Sequence, residues 1–131
     1  MGRESATFEN VKWAVENLGL NSVIKDLPQG YDTEIKPQGQ QFSKSVINRL
    51  LIARSIADKP KLLVIKDIFA SLSTEEKLRI IDFLVHPSNQ WTLVIVSNDK
   101  QIGKRMDRIA FLRSGELDRI GTYDETNNHL E

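Results

Sequence analysis

The stretch LLVIKD at residues 62–67 decides the fold class of this chain. Its first four residues form a continuous apolar run, which is typical of a strand covered on both faces. A second run, TLVIV at residues 92–96, has the same character. Between the two runs, residues 74–85 carry apolar side chains at helical spacing. Strand, helix and strand in this order predict an α/β fold with a parallel sheet.

Further elements are predicted on both sides of this unit. Downstream, the pattern predicts a short helix at residues 100–104 and a third strand at residues 108–112, which extends the α/β order. A final strand at residues 116–121 follows the turn Ser114-Gly115, which is short enough for an antiparallel hairpin. The part upstream of residue 62 is predicted to be helical, with helices at residues 7–18 and 43–57 and a short turn or helix at residues 21–27.

The two longer upstream helices have predicted ends and buried faces. Gly19 and Ser43 are residue types of a helix C-cap and a helix N-cap. The first helix should bury Phe8, Val11, Ala14, Val15 and Leu18. The second should bury Val46, Ile47, Leu50, Leu51, Ala53, Ile56 and the aliphatic stem of Arg54. Trp13 and Trp91 are predicted to be packing residues.

Composition excludes several classes of protein. Lys plus Arg and Asp plus Glu balance at 18 each, so charge gives no sign of a nucleic-acid partner. Cysteine is absent, which excludes disulfides and thiolate metal sites. No apolar run approaches the roughly 20 residues of a membrane-spanning helix. The final pair Leu130-Glu131 resembles a cloning remnant, so we expect the 131 residues to be an excised piece that forms one small domain.

Polar residues follow both apolar strands. Lys66 and Asp67 end the first, and Ser97, Asn98 and Asp99 follow the second. Ligands of open parallel sheets bind beyond the carboxyl ends of the strands, so these residues favour an anion or nucleotide site. The alternative is that any strand-to-helix turn carries polar residues, and the pattern alone leaves both interpretations open.

From residue 27 to residue 76 the sequence resembles, without insertion, the ATP-binding cassette of exporter-type ABC transporters. The matching segments are LPQGYDT at 27–33 (family LPxGYDT), GQQFSKSVINR at 39–49 (family GxxLSGGQxQR), IARS at 52–55, PKLLVI at 60–65, TLVIVSN at 92–98, DRI at 107–109 and the closing segment at 115–122. The resemblance implies part of the helical signature subdomain at residues 1–58. It implies the C-terminal part of a P-loop NTPase (RecA-like) core at 59–125, with a tail at 126–131.

The resemblance also assigns roles to individual residues. Ser43, Lys44 and Ser45 lie in the signature motif, which binds nucleotide held by the other cassette of a dimer. The serine is kept, but both signature glycines are replaced, so side chains occupy the surface that a phosphate approaches. We expect Lys44 to supply charge to a phosphate or to be an ordinary solvated lysine.

The Walker B strand departs further from the family. Lys66 stands where the family has the aspartate that holds Mg²⁺, and Asp67 stands where it has the catalytic glutamate. Lysine repels a cation, and the aspartate side chain is one methylene shorter than the general base it replaces.

Two more motifs are altered. Ser71, Leu72 and Ser73 replace the end of the SALD pattern of the D-loop, which loses its acidic residue. Asn98 replaces the switch histidine; it can donate a hydrogen bond to phosphate but cannot titrate near neutral pH. The motif GxxxxGK[ST] does not occur in the chain. In the family that loop follows an upstream strand, which we place beside the Walker B strand. We therefore expect the isolated chain to self-associate, or its first helix to move over the uncovered strand.

The leading hypothesis is a degenerate cassette of an exporter that shares a composite ATP site with a second cassette. The resemblance implies ATP and Mg²⁺ as cofactors of the parent, although we expect neither to bind this chain tightly. It also implies a transmembrane domain as partner and a position at the cytoplasmic face of the membrane. Two alternatives stay open: a scaffold or regulatory module that binds no nucleotide, and an active cassette that tolerates unusual substitutions, against which Lys66 argues most.

Overall fold

A computed structural model describes residues 7–27, 29–30, 42–66 and 68–126 of the chain. The predicted site residue Asp67, Pro28 and residues 31–41 of the cassette-like stretch lie outside the described residues. The elements are α1 (Phe8–Asn17), α2 (Asn21–Lys25), α3 (Lys44–Ile56), β1 (Leu62–Lys66), a 3₁₀ turn (Phe69–Ser71), α4 (Thr74–Leu84), β2 (Thr92–Val96), α5 (Lys100–Gly103), β3 (Ile109–Arg113), β4 (Glu116–Gly121) and α6 (Tyr123–Thr126).

The two apolar runs form the predicted parallel pair. β1 and β2 are aligned over their full lengths, from Leu62 opposite Thr92 to Lys66 opposite Val96. The chain between them passes through α4, as a parallel connection requires. The carboxyl ends of both strands therefore lie at the same edge.

The third strand does not extend this sheet. β3 pairs with β4 in an antiparallel hairpin, which confirms the predicted turn, and the two strands form a separate sheet. Ser114 and Gly115 at the turn both have positive φ, 52° and 80°. The prediction from strand order was wrong here because that order does not state which strands are adjacent.

The core lies on one face of the parallel pair only. Leu63 and Ile65 of β1 are buried against α3 and α4 residues such as Ile52 and Ile81. Leu62 and Val64 alternate with them and are 58% and 60% exposed. The expectation of a strand covered on both faces is therefore wrong for this structure, in which helices cover only one face.

The ends of the upstream helices follow the prediction. Thr7 and Ser43 accept backbone hydrogen bonds from Asn10 and Val46 at the starts of α1 and α3. Gly19, just after α1, has φ 68°, a conformation that glycine adopts without strain.

Three residues of the predicted buried faces are in fact exposed. Phe8 is 60% and Leu51 47% exposed, because each lies at the margin of its apolar face. The stem of Arg54 is exposed as well, and the polar Asn48 is buried instead.

An aromatic cluster fixes α1 against α4. Trp13 contacts Phe83 with ring centroids 5.6 Å apart, and Trp91 lies 6.2 Å from Phe83 and 6.3 Å from Trp13. The indole N–H of Trp91 donates to the Leu84 carbonyl at 2.9 Å. The Lys59 ammonium lies 3.1 Å from the Trp13 ring centroid, and burial lowers its pKa. Both tryptophans are thus packing residues, as predicted.

Candidate functional site

The structure brings two of the predicted segments to one edge of the parallel pair. Lys66 is the last residue of β1 and lies opposite Val96, directly before Ser97 and Asn98. The side chain of Asn98 is exposed. Asp67, predicted as an impaired catalytic carboxylate, lies outside the described residues. The edge therefore carries a lysine and an exposed amide group.

The loop that carries Asn98 is held on both sides. The backbone N–H of Asp99 donates to the Ser97 hydroxyl at 3.0 Å, and the Asp99 carboxylate accepts from the Gln101 N–H at 2.8 Å. The same carboxylate lies 2.5 Å from the Lys77 ammonium of α4. The hydrogen bond from Lys77 holds the pKa of Asp99 below its ordinary value, although partial burial opposes the shift.

The D-loop position forms the 3₁₀ turn and the start of α4. Asn48 of α3 donates to the Ser71 hydroxyl at 2.7 Å and to the Ile68 carbonyl at 3.2 Å. Leu72 packs against the core. Ser73 is the N-cap of α4 and forms a reciprocal capping box with Glu76. The sequence showed that the acidic residue is replaced at this position, but the cap that takes its place was not predicted.

At the signature position, the Ser43 hydroxyl is occupied by the helix cap at 3.2 Å from Val46 N. Lys44 is exposed. The Ser45 hydroxyl is buried and has no hydrogen-bond partner within the described part of the chain. Of the three predicted residues, Lys44 is therefore the one whose side chain is accessible to a ligand without breaking the helix cap.

Arg49 is a contact residue that the sequence reasoning missed. Its guanidinium donates to the carbonyls of Leu18 and Gly19 at 3.4 and 3.3 Å and lies 3.8 Å from the Glu76 carboxylate. The capping hydrogen bond at Ser73 is the main cause that lowers the pKa of Glu76, and Arg49 adds to it. Asn48 and Arg49 thus connect α3 to the turn before α4 and to α4 itself.

A groove of about 530 Å³ separates β2 from β3. Leu93, Val94, Ile95 and Val96 all line it, and so do the consecutive residues 109–112 of β3. Successive side chains of a strand point to opposite faces, so a groove lined by both sets runs along the edge of each strand. The described part of β2 pairs only with β1, and that of β3 only with β4.

Neither a metal centre nor a membrane span is found in the described ranges. No group of three or more His, Cys, Asp or Glu side chains is placed there to hold a metal ion. None of the helices described is long and apolar enough to cross a bilayer.

These features define a class: an α/β protein whose candidate ligand site lies at the carboxyl edge of a parallel strand pair. No family model matches the chain. It is 31% identical to the ABC multidrug transporter MDR2 of Trichophyton rubrum over 96% of the chain, and 27% identical to ABC transporter B family member 13 of Arabidopsis thaliana over 95%. It is 29% identical to antigen peptide transporter 1 of Rattus norvegicus over 89% of the chain.

A solved structure of a bacterial Atm1-family ABC exporter with ATP bound is similar, with a TM-score of 0.84 and 26% identity over 97% of the chain. The chain is therefore related to ABC exporters, which confirms the resemblance found in its sequence and its α/β fold class. It covers 9%, 10% and 16% of the three relatives and 23% of the chain in the solved structure.

Proposed function

We propose that this chain is the C-terminal part of a degenerate nucleotide-binding cassette of an ABC exporter. In the parent it contributes to a composite ATP site with a second cassette, coupled to a transmembrane domain at the cytoplasmic face of the membrane. The cassette binds ATP and does not hydrolyse it at its own Walker B position. The observation that carries this proposal is Lys66 at the carboxyl end of β1.

Lys66 cannot supply the metal ligand that ATP hydrolysis needs at this edge. An ammonium group has only donors and a positive charge, so it opposes a divalent cation at the strand end. In the resemblance, this residue stands in place of the aspartate that would hold Mg²⁺. The adjacent motif position holds Asp67. Its side chain is one methylene, about 1.5 Å, shorter than the glutamate that the family has there.

The residues that remain still suit phosphate binding. Asn98 is exposed and can donate an amide hydrogen bond, and Lys66 and Lys44 carry positive charge. An amide is not a general base, and a lysine ammonium group has only hydrogen-bond donors. The set therefore supports binding without general-base chemistry.

The edge groove supports incorporation of the chain into a larger cassette. Among the described residues, β2 and β3 each have an edge at this groove without a strand partner, and apolar side chains line both edges. We infer that the phosphate-loop strand of the parent lies in this groove, since a further strand can pair with the edges that line it. On this proposal the strand is a neighbour of β2, whereas the sequence resemblance suggested a position beside β1.

The test uses the full-length parent transporter and reverses the two Walker B departures. The double variant Lys66→Asp/Asp67→Glu is expected to hydrolyse Mg²⁺-ATP at least about tenfold faster than the wild type, because it restores a metal ligand and a full-length base. The matched control is Lys61→Asp, which makes the same substitution just before β1, at the other end of the strand. It should leave the rate unchanged.

Two results would overturn the proposal. Loss of ATP turnover in Lys66→Ala would show that the lysine serves an active site. Absence of ATP photolabelling in the cassette would exclude nucleotide binding and favour the scaffold alternative.

A further inference from the structure

Lys77 and Asp99 form a connection between α4 and the loop that carries Asn98. Their charged groups are 2.5 Å apart, and the two side chains are only 14% and 28% exposed. The residues are 22 positions apart in the sequence, so the contact holds two separate segments together. A largely desolvated, hydrogen-bonded pair has a defined geometry, unlike most ion pairs on a surface.

Asp99 transmits this restraint to its neighbours. Besides Lys77, its carboxylate accepts from the Gln101 N–H, and its own N–H donates to the Ser97 hydroxyl. These contacts lie on both sides of Asn98, whose side chain stays exposed. The loop is therefore restrained at its backbone while its central amide group faces solvent.

The same turn of α4 is also attached to α3. Glu76, the neighbour of Lys77, closes the capping box with Ser73 and faces Arg49. Just before it, Ser71 accepts from the buried Asn48. Contacts of α3 and contacts of the Asn98 loop thus meet within one turn of the same helix.

We propose that Lys77 is a positioning residue that fixes the Asn98 loop on α4 and thereby couples this loop to α3. The geometric part of the proposal is independent of nucleotide. Its functional meaning, that α3 at the signature position and Asn98 respond together to a bound phosphate, rests on the proposed function.

The chain offers a matched control for this contact. Arg105 pairs with Asp82 of α4 at 2.7 Å across 23 positions, and these side chains are 30% and 61% exposed. This pair also joins α4 to the segment after β2, and Arg105 donates to the Gln101 carbonyl at 3.0 Å, but neither residue has a hydrogen bond or ion pair with residues 97–99. A merely stabilising role predicts similar consequences for the loss of either pair.

The first experiment measures backbone amide hydrogen exchange in the 131-residue chain. Lys77→Met should accelerate exchange at Asp99 at least about tenfold relative to the amide of Leu63 in β1, since it removes the anchor of the loop. Lys77→Arg should restore exchange to near the wild-type rate. Arg105→Met should leave the ratio unchanged. Equal acceleration in both Met variants, or none in Lys77→Met, overturns the proposal.

A double-mutant cycle tests the coupling to α3. Asn48→Ala should accelerate exchange at residues 99–101 in the wild-type background and have no further effect in Lys77→Met. Additive effects would overturn the coupling.

ATP affinity of the full-length parent separates this proposal from the proposed function. A several-fold loss of affinity in Lys77→Met supports both. Unchanged affinity together with faster loop exchange retains the positioning role and contradicts the contact of Asn98 with phosphate.

Discussion

The two faces of the parallel strand pair have the same kind of residues and opposite surroundings. On the helix-covered face, Leu63 and Ile65 are 4% and 3% exposed. On the other face, which we call the bare face and define by Leu62, Val64, Val94 and Val96, exposure ranges from 43% to 60%. Large apolar side chains therefore lie on both faces, while only one face is buried.

This difference shows that an apolar strand pattern can be more extensive than the surface that the chain's own helices cover. The α1, α3 and α4 helices of the chain cover one face, and the groove and bare face adjoin strand edges that have no strand partner among the described residues. Large exposed apolar areas of this kind mark places where another segment or protein binds. The relatives are six or more times longer than the part they share with this chain, and under the proposed function further segments of the parent would cover these areas.

The largest effect is expected from a pair of adjacent leucines. Leu63→Ala should lower the free energy of unfolding by about 2–5 kcal/mol, because it leaves a cavity beneath the helices. Leu62→Ala removes the same atoms from the bare face and should cost less than about 1 kcal/mol. Urea unfolding of both variants measures the difference. Equal losses would show that the bare face is covered in solution.

The next effect concerns association of the bare face with itself. The wild-type chain should self-associate in sedimentation experiments, since α1 lies on the covered face and leaves Val64 exposed. Val64→Lys should raise the dissociation constant at least about tenfold, which corresponds to about 1.4 kcal/mol. Gln90→Lys adds the same charge at an exposed position outside the bare face and should change nothing. A concentration-independent wild-type monomer would contradict this prediction.

A smaller effect is expected from the N-cap of α4, one of the helices on the covered face. Ser73→Ala removes the capping hydroxyl and should lower stability by about 1 kcal/mol. Ser73→Asn keeps an acceptor at the cap and serves as the control. Thermal unfolding should rank the alanine variant below the other two. A wild-type midpoint in Ser73→Ala would mean that packing of α4 alone fixes its start.

The smallest effect is the pH dependence of the same cap. The pKa of Glu76 is lowered from 4.5 in the folded chain, so its stabilisation is fully present above that value and is lost as the pH falls through the lower folded pKa. Glu76→Gln retains a group that can close the capping box but not the charge. The difference in urea midpoint between wild type and variant should be present at pH 7 and shrink as the pH falls below 4.5. A difference that persists in acid would assign it to the hydrogen bond rather than the charge.

The sequence predicted the elements better than their environment. Helices α1, α3 and α4, strands β1 and β2, and the cap at Ser43 follow from local periodicity and residue type. Coverage of both faces was predicted wrongly, since nothing in the described part of the chain buries Leu62 and Val64. The prediction that β3 extends the parallel sheet was also wrong, because the adjacency of strands depends on contacts between residues far apart in sequence.

The contacts of the candidate site were the least predictable part. Its positions came from the cassette resemblance, and Lys66 and Asn98 do lie at one strand edge. The hydrogen bonds of Asn48 to Ser71 and of Lys77 to Asp99 join residues more than twenty positions apart. No local sequence pattern predicts them. The roles of the site residues remain predictions for the experiments above.

The aromatic cluster has a practical consequence for optical experiments. It contains both tryptophans of the chain, Trp13 and Trp91, within 6.3 Å of one another. Intrinsic emission therefore reports mainly the docking of α1 on α4, because Trp91 precedes β2 while Asn98 follows the opposite end of that strand. A fluorescence titration with nucleotide can stay flat while ligand binds, and a dye or a fluorinated residue placed near Asn98 is needed to observe it.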